Sequence, residues 1–225
     1  MNEMLKITSV SLAIAAVIGL TACGGGGGGS DSTASSPATS GSTITSGVIT
    51  GFGSVFVDGV EFETDESSFS LDDGDDGMEN EDGLAVGMVV TIMGTVNADG
   101  KTGNAEHIEF DDELEGIVNT NNVAADGTGT MTVMGQNVFI KTTTIFESGV
   151  AGIDSVDKVA AGNVVEVSGF SSGDGNVHAT RIEVKLATHA GEEIEVKGII
   201  SKLAASTFAI GGLTVDFSSA QFDDS

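Results

Sequence analysis

Tryptophan and tyrosine are absent from this chain of 225 residues, and phenylalanine, at 11, is its whole aromatic complement. Sugar binding by stacking therefore lacks its usual platforms. A single cysteine, Cys23, excludes disulfides and Cys-ligated metal sites. Basic residues are scarce: 8 Lys and Arg stand against 34 Asp and Glu, for a formal net charge of −26. A field of that sign repels phosphate backbones and anionic headgroups, so no nucleic-acid partner is expected. Acidity of this kind favours solubility and divalent cations instead. One proline beside 33 glycines, with abundant Val, Ile and Thr, favours short strands and turns over helices. The longest apolar run, Ile7 to Leu20, falls short of the ~20 residues a membrane-spanning helix needs.

That short run reads as the core of an export signal. Lys6 supplies the positive start, and small residues lead into Leu20-Thr21-Ala22-Cys23. These four residues resemble a lipobox, which makes residues 1–22 a lipoprotein signal peptide and Cys23 the lipidation site. Two or three acyl chains at ~0.8 kcal/mol per buried CH₂ would hold such a protein firmly on a membrane. Gly24, rather than Asp, follows the cysteine, which in lipoproteins of the enterobacterial kind implies the outer membrane. Residues 23–46 then read as a linker: six glycines from Gly24 to Gly29, followed by a Ser/Thr-rich stretch around Pro37. A flexible coil of that composition spans roughly 25–30 Å and buries too little to order itself.

Beyond the linker the chain repeats itself. Gly47-Val48-Ile49 opens a first copy, continued by Val55-Phe56-Val57, an Asp58-Gly59 turn and Val60-Glu61-Phe62. Gly116-Ile117-Val118 opens a second, with Met131 to Met134, a turn at Gly135 and Val138-Phe139-Ile140. Gly198-Ile199-Ile200 opens a third, with Phe208-Ala209-Ile210, a Gly211-Gly212 turn and Leu213-Thr214-Val215. The back half repeats more strictly. Leu84 to Gly94 matches Val159 to Gly169, with glycines seven apart in each, and Ala105 to Phe110 matches Ala179 to Val184. Alternation with period two puts Val90 and Ile92, or Val165 and Val167, on one strand face. The third copy reaches Ser225 without a back half, so its edges are expected to stand open or to pair elsewhere, and the chain reads as a fragment of a longer protein.

These anchors resemble the DUF5666 family, found as tandem copies in bacterial lipoproteins and exported proteins, with no assigned activity. The resemblance covers residues 47–225 and is most specific over 47–110. It implies an all-β fold of tandem small five-stranded, OB-like β-barrel modules, and it transfers no catalytic residues. The expected organisation is repeat 1 over 47–112, repeat 2 over 113–188 and an incomplete repeat 3 over 194–225. An insertion-like loop at Asn119 to Thr130 and a short helix near Asp154 to Ala161 depart from the pattern.

The leading candidate site is the acidic run Asp72, Asp73, Asp75, Asp76, Glu79, Glu81 and Asp82. Seven carboxylates within twelve residues, with glycines between them, could wrap Ca²⁺. The spacing breaks the EF-hand rule, and the plainer reading is a solvated acidic loop. Asp111, Asp112, Glu113 and Glu115 read as a wet connector that would extend a cation site if the modules packed closely. His107 should face away from Ile108 towards solvent, His178 precedes a strand, and His189 lies in a connector. None has a metal-ligand spacing. Ser54 lacks a nucleophile elbow. No cofactor is expected, with Ca²⁺ on the acidic run as the alternative, nor an enzymatic activity. The expectation is a membrane-anchored envelope lipoprotein that binds or scaffolds an envelope protein or ligand. The alternatives are a Ca²⁺-responsive module and, more distantly, an accessory subunit of an envelope enzyme complex.

Overall fold

The structure is a computed structural model and describes residues 42–71, 80–172, 174–191 and 194–220. The signal segment, Cys23 and, of the acidic run, Asp72, Asp73, Asp75, Asp76 and Glu79 lie outside the described residues. Within them the protein is all-β, with two single 3₁₀ turns.

The first barrel is built from β1 (Thr43–Gly51), β2 (Val55–Val57), β3 (Val60–Glu63), β4 (Ser68–Leu71), β5 (Val89–Val96) and β6 (Thr102–Phe110). Its elements follow from local chemistry. Asp58 and Gly59 both take positive φ, 52° and 81°, which suits the tight turn between β2 and β3. In β5 the apolar alternation places Val90 and Ile92 in the core. The first half of β1 pairs antiparallel with β5, from Thr43 opposite Gly94 to Val48 opposite Val89. A bulge after Ile49 then swings the strand over to β2. Because β3 runs parallel to the start of β6, the order β1-β2-β3-β6-β5 closes on itself. That is the strand order of an OB barrel. β4 lies parallel to the rest of β6, on the edge that β3 leaves uncovered.

The second barrel repeats the scheme with β7 (Leu114–Val123), β8 (Gly129–Val133), β9 (Gln136–Ile140), β10 (Ile145–Ser148), β11 (Val164–Ser171) and β12 (Asn176–Leu186). Here β9 runs parallel to the start of β12 and closes the ring. Each barrel keeps its own core, Ile49 to Phe110 in one and Leu114 to Val184 in the other. A fully buried side chain such as Ile92 or Ile182 contributes about 1.5–3 kcal/mol.

Several expectations are corrected. The linker ends early, since Thr43 to Ser46 already pair with Gly94 to Thr91. The stretch from Asn119 to Thr130 is a hairpin rather than an inserted loop: β7 runs on to Val123 and pairs back against Gly129 of β8. The helix near Asp154 is a single 3₁₀ turn, Val156–Lys158. His178 sits inside β12, not before it. The segment expected as an incomplete third copy does pair elsewhere. Its β13 (Glu195–Val196) adds to β7, while β14 (Ile200–Ser201), β15 (Thr207–Ile210) and β16 (Leu213–Asp216) form a separate three-stranded sheet. The Gly211–Gly212 turn of that sheet rests on the second barrel. Gly212 N–H donates to Gly135 O at 3.1 Å, and Gln136 Nε2 donates to Ile210 O at 2.8 Å.

Candidate functional site

The acidic run contributes two described residues, Glu81 and Asp82, both on the 3₁₀ turn Glu81–Gly83. Asn80 caps this turn by accepting the Asp82 N–H at 3.0 Å. The Thr64 hydroxyl donates to Glu81 Oε2. Glu81 thereby ties the turn to the end of β3.

The connector between the barrels is not wholly wet, contrary to expectation: Asp111 stays exposed but Asp112 is buried. Asp112 is 3% exposed, and oxygens of Asp111, Asp112 and Glu195 lie within 4.8 Å of one another. Their cation is a side chain. Lys197 Nζ bonds to Asp111 and to the Asp112 carbonyl, and lies 3.4 Å from Asp112 Oδ1 and 3.3 Å from Glu195 Oε1. Burial works against the charged ammonium, but Asp112, Asp111 and Glu195 outweigh it and raise its pKa above the ordinary lysine value. Burial pushes the neighbouring Glu113 carboxyl up, opposed by Ser171 and Lys197.

A second charged cluster lies where the barrels meet. Arg181, 4% exposed, pairs through Nη2 with Glu147 and, at 3.1 Å, with Glu183. Its Nη1 reaches Val86 O of the first barrel at 3.4 Å. Burial opposes its charge, and the hydrogen bonds to Glu147 and Glu183 more than restore it. Gly87 completes the junction: a Cβ there would meet Arg181 Cβ and Ile145 Cγ1, each at 3.0 Å. Repeat alignment sets Arg181 opposite His107. It shows the kinship of the strands but not that one of the two positions faces another barrel.

Above this junction runs a groove of about 490 Å³ with walls from both barrels. Val48, Thr50 and Val86 form one side, and Phe139, Ile145, Phe170 and His178 the other. Phe170 is 49% exposed and Ile145 37%, while Phe139 stacks on His178 with ring centroids 5.2 Å apart. The groove is mainly apolar, with Thr50, Lys141, Thr143, His178 and Thr180 as polar groups. The other two histidines stand apart from it: His107 Nδ1 lies 2.9 Å from Ser68 Oγ, and His189 is half-buried in the connector.

The fold and its junction define a class: small OB-like barrels in tandem, each closed on its own core and joined by buried charge. The chain belongs to the DUF5666 family, a domain of unknown function whose profile matches residues 43–109 and again 115–183. No curated protein and no solved structure matches the chain.

Proposed function

We propose that this protein is a lipid-anchored envelope module that binds or scaffolds a partner in the groove between its barrels. The observation that carries the reading is the groove itself, with Phe170 half-exposed beside the Phe139–His178 stack. Exposed aromatic surface in a concave, largely apolar site favours a ligand or protein segment. By fold analogy, the strand 2–3 face and the loop between strands 4 and 5 are where OB barrels commonly receive ligands. Phe139 lies on the third strand here, and Phe170 is next to last on the fourth, beside that loop. The net charge of −26 turns the choice away from nucleic acid and towards an envelope protein or neutral ligand. The lipobox-like Leu20-Thr21-Ala22-Cys23 supports membrane anchoring, with the outer membrane favoured by Gly24.

Two arms test this reading on the full chain in a bacterial host. Metabolic labelling with an alkyne fatty acid should mark the protein, and Cys23→Ala should abolish the label. A photo-crosslinking residue at position 170 should capture a discrete envelope partner, whereas one at exposed Asp99, on the first barrel's β5–β6 turn, should not. Equal capture from both positions would remove the groove from the proposal. The second reading, a Ca²⁺-responsive module, rests on the seven carboxylates between Asp72 and Asp82. An accessory role in an envelope enzyme complex is one form that a scaffold could take.

A further inference from the structure

The third sheet matches the front half of each barrel in strand register as well as in sequence. Ile200 pairs with Ile210 as Ile49 pairs with Val57 and as Val118 pairs with Val133. Ile210 meets Leu213 across the turn as Val57 meets Val60 and Val133 meets Gln136. The equivalent side chains differ sharply in burial. Ile49 is 0% and Val118 1% exposed, whereas Ile200 is 54% exposed, with Ile199 beside it at 68%. Val215 is half-buried, although its counterparts Phe62 and Val138 are fully enclosed. Among the described residues, β14 and β16 each pair with β15 alone.

The complete barrels show what covers these positions. Val48 and Ile117 pair with Val89 and Val164 of the fourth strand. Phe62 and Val138 pair in parallel with Gly103 and Val177 of the fifth. β13, which leads into β14, is itself paired with β7, on the edge of β7 opposite β11. We propose that β14–β16 is the acceptor half of a barrel. Its occupant is a back-half hairpin of the same repeat type: a Gly-x-Val-Val-x-Val-x-Gly strand followed by an Ala-x-x-Ile-x-Val strand. The first strand would run antiparallel to Ile199 and the second parallel to Thr214 through Asp216. Exposed edges and half a core are what β-strand addition uses, with main-chain bonds supplying affinity and alternate side chains supplying specificity.

The test adds a synthetic peptide carrying residues 159–187 to the full chain and follows amide hydrogen exchange. A parallel arm fuses the same segment in cis behind Ser225, so that an insoluble peptide cannot decide the outcome. Exchange at Ile199–Ser201 and Thr214–Asp216 should slow by about tenfold or more, while amides of β5 and β11 stay unchanged. Ile200→Asp should cancel the effect in both arms. No protection of β14 and β16 in either arm would overturn the proposal, as would protection appearing in the second barrel instead. Protection that rises with protein concentration without any added hairpin would also overturn it, by making a second copy the occupant.

Discussion

Glycines seven residues apart recur as Gly87 with Gly94 and Gly162 with Gly169, and the two members of each pair meet different demands. Gly87 and Gly162 share a φ of 95°, a conformation that side chains with a Cβ rarely adopt. Gly94 and Gly169 sit where the register shifts by a bulge, and the neighbouring strand leaves no room for a side chain. A Cβ on Gly94 would lie 2.1 Å from Asn104 O, and one on Gly169 2.4 Å from His178 O. Nothing lies within 4 Å of a Cβ placed on Gly162. Gly162→Ala should therefore cost about 1 kcal/mol, from backbone strain alone. Gly169→Ala should cost more, about 2–3 kcal/mol, because strand backbone must move. Denaturant unfolding followed by circular dichroism measures both, since no Trp or Tyr is available for fluorescence. Equal losses at the two positions would contradict this division of roles.

At the scale of elements, local patterning was highly legible and contacts between repeats were not. The alternation that put Val90 with Ile92 and Val165 with Val167 on one face describes the two cores as they stand. β4 and β10 were hidden because their alternating residues are only half-buried and they pair parallel to a distant strand. The acidic connector was misread for a physical reason. Asp111 and Asp112 look like a solvated linker until Lys197, some 85 residues on, is brought against them by the β13–β7 pairing. With the Lys197 side chain a quarter exposed, removing it should cost about 1–3 kcal/mol, less than a fully buried pair would. The sign of its pH dependence follows from the raised pKa. A folded value above the ordinary 10.5 means that the stabilisation is complete below pH 10.5 and declines as pH climbs through the folded value. Lys197→Met should therefore melt earlier than the parent by a constant margin across neutral and mildly alkaline pH. The margin should shrink only above 10.5. A margin that already fades between pH 7 and 9 would show that the ammonium is not held by these carboxylates.

For the whole molecule, the decisive quantity is charge. A net −26 on a chain of this length opposes the compact state by self-repulsion, and three of its eight Lys and Arg residues are held in largely buried pairs: Lys197 at the connector, Arg181 at the junction, and Lys185 with Glu166 inside the second barrel. Diffuse repulsion and a specific cation site respond differently to salt, which separates the scaffold reading from the Ca²⁺-responsive one. Raising NaCl from about 0.01 M to 0.15 M shortens the screening length from about 30 Å to about 8 Å, and should raise the melting temperature on either reading. Ca²⁺ added after screening is complete distinguishes them. A site in the acidic run, at 100-fold saturation, adds about 2.7 kcal/mol, a shift of several degrees for a domain this small. On that reading Mg²⁺ at equal concentration does much less, and Asp75→Asn with Asp76→Asn removes the response. On the scaffold reading, Ca²⁺, Mg²⁺ and further NaCl at matched ionic strength give the same small shift. The double variant then melts slightly higher than its parent at low salt, because two like charges have been taken from an overcharged chain.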